Sequence, residues 1–434
     1  MVGSGISGLA AAWSLAEHAE VTLFEADRHF GGHANTVDLT IDGLSHGVDT
    51  GFLVFNQATY PGLVGLFDRL QVATAPSQMG FSVQVPRHGL EWSGNDLDAV
   101  FAQRRNLVRP RFLRMLADLL RFNREATAIA RRGDEGALQQ PIADFLTDRR
   151  YSPAFRDWYL LPMLGCIWSC PTDQMLRFPV ATMIRFCHNH GLLRIADRPQ
   201  WYTVRGGSRE YVRRMVARIP DARLATPVRA LRRMPPGSGS AGVWLDLAKH
   251  SERFDDAVLA GHSDQSLALL GAGASVDERA VLGAIGYQRN RVVLHGDATL
   301  MPRHRKAWAA WNYERSPVAS RERSAVCLHY WINALQPLPW TRPVIVSMNP
   351  VREPDARQVH REFSYAHPVF DRAAVAAQAR VPALQGRGHV WFAGAWTGHG
   401  FHEDGLRSGL AVADAMRLRW AEADARGAAT RRAA

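Results

Sequence analysis

The chain has 434 residues, 47% hydrophobic and 21% charged, with 52 Lys and Arg against 41 Asp and Glu for a net charge of +11. That length exceeds what one core fills, so two lobes are expected, and the composition excludes a largely disordered chain. No stretch approaches the roughly 18 uninterrupted apolar residues of a membrane-spanning helix, and no basic segment followed by an apolar one marks a secretory signal.

The first element is Met1-Val2-Gly3-Ser4-Gly5-Ile6-Ser7-Gly8, running on as a helix to about Ala19. In a dinucleotide fingerprint Gly3 makes the tight turn, Gly5 lets the backbone approach a pyrophosphate, and Gly8 lets the helix pack close to a sheet. The helix start at Ile6 and Ser7 then offers free N–H groups and a positive dipole end. The strand Val21–Glu25 follows, and Glu25 lies about twenty residues beyond Gly5, where an acid meets ribose hydroxyls. Only Met1 and Val2 precede Gly3, so the opening strand is nearly absent and the chain is expected to begin further upstream.

Next comes Glu25-Ala26-Asp27-Arg28-His29-Phe30-Gly31-Gly32-His33-Ala34-Asn35-Thr36, a second glycine turn. From 110 to 132 the spacing predicts an amphipathic helix, with Phe112, Met115, Leu116, Leu119 and Phe122 on one side and Arg114, Asp118 and Arg121 opposite. Arg104, Arg105, Arg109 and Arg111 crowd its start. Such a helix either rests on anionic lipid or turns its apolar side to the protein core. Four cysteines indicate a reducing compartment and a cytoplasmic location, and the spacing of Cys166, Cys170, Cys187 and His190 matches no common zinc motif, so no metal is expected. Further on lie Trp201–Ser208 with the pair Gly206-Gly207, then Thr226-Pro227-Val228, a surface turn at Pro235–Ser240, and the strand Asp256–Ala260. The chain closes with Val390–Trp396, Gly400–Gly409 and an Ala- and Arg-rich tail after Trp420 that is expected to fray.

The acid followed by Gly31-Gly32 and Thr36, the Gly206-Gly207 pair and the segment around Gly394 together resemble the flavin-containing amine oxidase superfamily. GGHANT (Gly31–Thr36), HGLL (His190–Leu193), AWAAWNY (Ala307–Tyr313), HYWINALQ (His329–Gln336) and GFHEDGLRSG (Gly400–Gly409) resemble a subgroup associated with cyclopropane fatty acid synthases. The resemblance implies an α/β fold, with a Rossmann-like (GR2-type) FAD-binding domain from 1–75, 200–270 and 380–434 and an interleaved α+β substrate domain from 76–199 and 271–379. It implies FAD held by Gly3, Gly5, Ile6, Ser7, Gly8, Glu25, Ala26, Gly31, Gly32, His33, Asn35 and Thr36, and by Asp49, Thr50, Gly51 and Phe52. Gly206, Gly207, Val228, Ala260, Gly394, Ala395, Gly405, Leu406 and Ser408 complete that set. Two positions depart from the superfamily: His33 stands where an arginine follows the glycines, and Ala395 where many relatives carry an acid.

Amine oxidases of this superfamily carry a lysine near the flavin, yet Lys249 and Lys306 are the only lysines here and neither sits at that position. The resemblance therefore points to dehydrogenation of a fatty acyl chain, methyl-branched or cyclopropane-modified. Trp158, Tyr159, Met163, Trp168, Trp308, Trp311, Tyr330 and Trp331 either line its tunnel or fill the core. His402, Glu403 and Asp404 are the candidate bases for the proton that leaves with the hydride. The alternatives are an amine oxidase, an isoprenoid- or porphyrin-type desaturase or oxidase, and a non-catalytic FAD-binding partner of a lipid methyltransferase. The basic surplus admits peripheral contact with the inner membrane face, while no recognition motif accompanies it that would indicate nucleic acid.

Overall fold

A computed structural model of the chain describes all residues except 134–139, 195–196, 235–240, 319, 322–324 and 434, and the side chains of 426–433. The turn expected at Pro235–Ser240 lies outside the described residues.

The first lobe is built on short parallel strands. Thr22–Phe24 pairs with Asp221–Arg223, and Ala257–Leu259 pairs with Val390–Phe392. Val2 joins the two pairs, bridging in parallel to both Phe24 and Leu259. Its N–H donates to the Val258 carbonyl (2.9 Å), and its own carbonyl accepts from Ala260 N–H (2.8 Å). The two residues before Gly3 thus stand as the central strand of a five-membered parallel arrangement. Leu23, Phe24, Val258, Leu259 and Phe392 are buried, as a sheet covered on both faces requires.

Four helices frame the site: α1 (Ile6–Leu15), α2 (Pro61–Leu70), α3 (Pro110–Arg132) and α4 (His402–Ala433). The last extends through the Ala- and Arg-rich tail, in keeping with the high helix propensity of those residues. α1 leaves the central strand and crosses α4 at very close range. A Cβ on Gly8 would collide with the Gly3 carbonyl oxygen, and one on Gly409 with that of Ser7. Ala10, Ala11 and Ala12 are fully buried, and Ala10 Cβ lies 3.1 Å from where a Cβ on Gly409 would stand.

The second lobe holds a seven-stranded sheet in the order Val359–Val369, Gly286–His295, Ile345–Met348, Cys327–Trp331, Trp311–Glu314, Phe81–Val85, Leu90–Ser93. Every pairing is antiparallel except that of Trp311–Glu314 with Phe81–Val85. All seven strands come from 76–199 and 271–379. α3 buries Phe112, Met115 and Phe122 against this lobe. Asp118, expected on the solvent side, is only 2% exposed. It sits three residues after Met115 and four before Phe122, so the helical period itself turns it inward. Arg114 (3.3 Å) and Arg121 (3.1 Å) neutralise its carboxylate, which also accepts Ser152 N–H (3.0 Å).

Replacing Gly8 by alanine should lower the unfolding free energy by about 1–3 kcal/mol, the usual range for overpacking. Urea denaturation reads this as a lowered midpoint with unchanged slope.

Candidate functional site

A single cavity of about 2050 Å³ spans the two lobes. It begins at Gly3–Ser7, passes Gly31–His33 and Thr50–Phe52, meets Gly394, Ala395 and Phe401, and ends among Phe81, Tyr159, Trp311 and Tyr330. Ordinary ligand pockets measure roughly 300–1,000 Å³, so this one has room for an extended dinucleotide and a second molecule. Its first part lies where the chain leaves Val2 in one direction and Ala257–Leu259 in the other, the crevice at which open parallel sheets bind ligands.

The fingerprint end fits a diphosphate. α1 has no side-chain cap, so its first N–H groups are free to meet an anion. A Cβ on Gly5 would meet nothing within 4 Å, so cavity space lies directly before that backbone. The second glycine turn closes against it: Gly5 bridges Gly31, and a Cβ on Gly32 would lie 3.2 Å from Gly5 Cα. Glu25 lines the cavity at the end of its strand. Its carboxylate accepts Ser4 N–H (2.9 Å), the Ser4 hydroxyl and Asp27 N–H (2.9 Å), which holds the first turn and the acid in one unit. Ile6, Ser7, Ala26, Val228 and Ala260 complete this wall.

Other expected cofactor residues stand behind the wall and not on it. Asp49 is buried and accepts from Thr36 Oγ1 (2.6 Å), Ser208 N–H (2.9 Å), Ser208 Oγ (2.8 Å) and Gln336 Nε2 (3.0 Å). Burial pushes its carboxyl up to about 6. Thr36, Asp49, Gly206 and Gly207 therefore form a brace, close enough that a Cβ on Gly207 would strike Thr36. Asn35 Nδ2 donates to the Tyr365 hydroxyl (2.9 Å), so it orients a cavity residue. Gly8 and Gly405 are helix-packing positions, Leu406 is core, and Ser408 Oγ accepts Gly394 N–H (3.1 Å).

The three candidate bases separate. His402 lines the cavity, stacked 3.9 Å from Phe52, with Nε2 2.6 Å from the Tyr211 hydroxyl. Burial lowers it to about 3, so it is neutral at pH 7. Glu403 and Asp404, also expected as bases, stand outside the cavity lining, and each carboxylate is committed to backbone. The Glu403 carboxylate accepts Gly62 N–H and Leu63 N–H (both 2.9 Å), capping α2, which has no side-chain cap of its own. Asp404 accepts from His399 N–H (3.1 Å) and Phe401 N–H (3.0 Å), which fixes the loop before α4.

Several lining residues escaped the sequence reading. His190 Nδ1 donates to the Phe186 carbonyl (3.0 Å), and its ring stacks on Phe186 at 3.9 Å beside Phe401. That bond leaves Nε2 with its lone pair, and burial lowers the imidazole to about 4, so it is a neutral acceptor near pH 7. His262, Tyr365 and His367 also line the cavity. The alternation of Tyr365 and His367 along one strand, and the position of His262 just past another, were the signals available.

Cys166, Cys170 and Cys187 are buried thiols raised by that burial. Among the described residues, only Glu314, Cys327 and His329 bring three ligand-type atoms within 4.8 Å of one another. Their hydrogen bonds run in one direction. Asp297 N–H donates to His295 Nδ1 (3.1 Å), so His295 Nε2–H donates to Ser347 Oγ (2.6 Å). The Ser347 hydroxyl then donates to His329 Nδ1 (2.6 Å), and His329 Nε2–H to Glu314 (3.1 Å). Both imidazole nitrogens of His329 are occupied, and the group is a buried polar chain of the sheet.

Residues 1–70 match the family model of an NAD(P)-binding Rossmann-like domain. Comparison with curated protein sequences gives no match. Among solved structures the chain is similar to a CLA-producing fatty acid isomerase from P. acnes, at 15% identity and a TM-score of 0.64, over 95% of this chain and 96% of that one. It is similar to cyclohexylamine oxidase from Brevibacterium oxydans at 16% identity and a TM-score of 0.66, over 96% and 98% of the two chains. Wild-type putrescine oxidase bound to putrescine gives 15% and 0.65 over the same shares. These likenesses establish a common two-lobed fold, a Rossmann-like domain with an interleaved second lobe.

Glu403→Ala should lower the unfolding free energy by about 1–3 kcal/mol through loss of the α2 cap. Chemical denaturation with the matching Asp404→Ala variant checks this, and an unchanged Glu403→Ala midpoint would contradict the capping role.

Proposed function

We propose that the chain is an FAD-dependent oxidoreductase that dehydrogenates a lipid acyl chain, methyl-branched or cyclopropane-modified. The observation that carries this reading is the continuity of one cavity from a dinucleotide fingerprint into a channel lined by aliphatic and aromatic side chains. A phosphate-binding turn alone suits several dinucleotides. The second glycine turn and the Gly394–Ala395 and Phe401–His402 segments line the same cavity further in, which suits the length of FAD. When bound, FAD supplies the two-electron acceptor for a hydride.

The chain supplies the rest. Met79, Phe81, Leu116, Tyr159, Met163 and Trp311 line the channel, which suits alkyl carbons and excludes water. Neither lysine lines the cavity; Lys306 is bound to Asp98 on the surface (2.6 Å), and Lys249 is exposed. That argues against an amine substrate. His190 Nε2 is the acceptor for the proton that leaves the carbon next to the hydride donor, and its Nδ1–H bond to Phe186 holds that tautomer. The fold is also that of a fatty acid isomerase, a protein whose substrate is an acyl chain.

The channel mouth suits a membrane-borne substrate. Leu97 and Leu120 both line the cavity and face solvent, Leu97 at 78% exposure. Leu107, Val108 and Leu113 are exposed on the neighbouring turn and on α3, with Val108 at 81%. Arg104, Arg105, Arg109, Arg111 and Arg114 flank them along the chain, with Arg104 paired to Asp98 and Arg109 and Arg111 over the Trp158 ring. Exposed apolar residues flanked by arginines dock on an anionic lipid face, and the acyl chain enters beside α3.

Two measurements test this reading. Anaerobic titration of FAD-loaded protein should bleach the flavin with a modified acyl phospholipid and leave it oxidised with simple amines. His190→Gln should slow that bleaching by about 10²–10⁴-fold with FAD content unchanged. Reduction by an amine and by no acyl lipid would overturn the substrate assignment. In vesicle sedimentation, binding to phosphatidylglycerol-rich liposomes should weaken as salt rises, and a Val108→Asp/Leu113→Asp protein should stay in the supernatant.

A further inference from the structure

The wall facing the α1 N-terminus carries three imidazoles from three separate elements. His33 follows the Gly31–Gly32 turn, His262 follows the strand Ala257–Leu259, and His367 lies on Val359–Val369. All three line the cavity. Ring centroids lie 6.3 Å apart for His33 and His262, and 5.4 Å apart for His33 and His367. His33 Nε2 is buried with no hydrogen-bond partner, although its ring packs 4.9 Å from Tyr365. Asn290 Nδ2 donates to His367 Nδ1 (2.9 Å), so His367 presents an Nε2–H donor. His262 is held by stacking on Tyr287 at 4.4 Å.

A diphosphate brought to this wall needs positive charge. The α1 N-terminus contributes about half an elementary charge. Among the described residues lining the cavity, the only arginines are Arg198 and Arg289, and no lysine is present. Arg289 bears on His262, as does Asp264 with the opposite sign. His402 also bears on His33. Glu25 and Asp27 line the same end, Tyr287 and Tyr365 are neutral phenols raised by burial, and Asp49 stands behind Tyr365. The acids oppose an incoming anion, so permanent cations alone do not balance it.

We propose that His33, His262 and His367 form the anion-binding wall for the cofactor diphosphate and that the cluster gains a proton as the dinucleotide binds. Where an arginine would carry a fixed charge, this chain uses a shared, titratable one. The proposal rests on the FAD reading. Burial lowers all three imidazoles, His367 to about 4, and neighbouring histidines lower His33 and His367 further. A dianion at hydrogen-bond distance acts in the opposite direction and favours the protonated form. Binding should therefore strengthen as pH falls and weaken as pH rises through the imidazole range of the complex.

Isothermal titration of apoprotein with FAD near pH 7, in PIPES and in Tris, reads the proton directly. The expected result is a buffer-dependent enthalpy corresponding to net uptake of up to one proton, with Kd rising up to tenfold per pH unit between pH 6 and 8. His33→Arg should bind FAD with a flatter pH dependence and less uptake. FAD binding in wild-type protein with the same enthalpy in both buffers and a pH-independent Kd would overturn the proposal and leave the cofactor assignment standing. Failure of FAD to bind at any pH in that range would overturn both.

Discussion

The structure depends on backbones meeting without side chains between them. Gly409 sits against the Ser7 carbonyl, so α1 and α4 cross almost in backbone contact, and Gly8 sits against the Gly3 carbonyl and Ala260, which seats α1 on the sheet. That crossing aims the free N–H groups of α1 into the crevice beside Val2 and brings the loop before α4 over the same space. A methyl group at Gly409 would push α4 off α1, and one at Gly8 would push α1 off the turn at Gly3 and the sheet. Close packing of this kind transmits even small displacements, because interiors yield little.

Around that crossing, three acids are committed to architecture and not to the cavity. Asp49 is consumed by Thr36, Ser208 and Gln336, Glu403 by the start of α2, and Asp404 by the loop before α4. Much of the inner channel is hydrocarbon and aromatic, the imidazoles of His190 and His402 are kept uncharged by burial, and Asn123, Arg198 and Gln200 add polar groups to the lining. A dry, weakly charged channel suits the removal of hydrogen from carbons that offer no polar handle, since orientation must come from shape.

The parts legible in the sequence are those whose chemistry fixes spacing. The turn at Gly3–Gly8 with Glu25 about twenty residues beyond Gly5 was readable because diphosphate and ribose impose those distances. The buried face of α3 was readable from its period, and the same period, followed through Asp118, would have placed that acid inside. The placement of Glu403 and Asp404 is not legible in the sequence, because an acid at a helix start looks the same whether it caps or catalyses. Their partners, Gly62 with Leu63 on one side and His399 with Phe401 on the other, become visible only in three dimensions. The proximity of His262 and His367 to His33 is illegible for a related reason, since the three are drawn from separate elements spread between residues 33 and 367.

The most direct test of the central claim, one cavity with a flavin dinucleotide at the glycine end, is identification of the small molecule released when purified protein is denatured, or taken up stoichiometrically when cofactors are supplied. FAD in a one-to-one ratio, with no retention of NAD or NADP, is the expected result. A folded protein that binds a nicotinamide dinucleotide in that ratio and refuses FAD would contradict it.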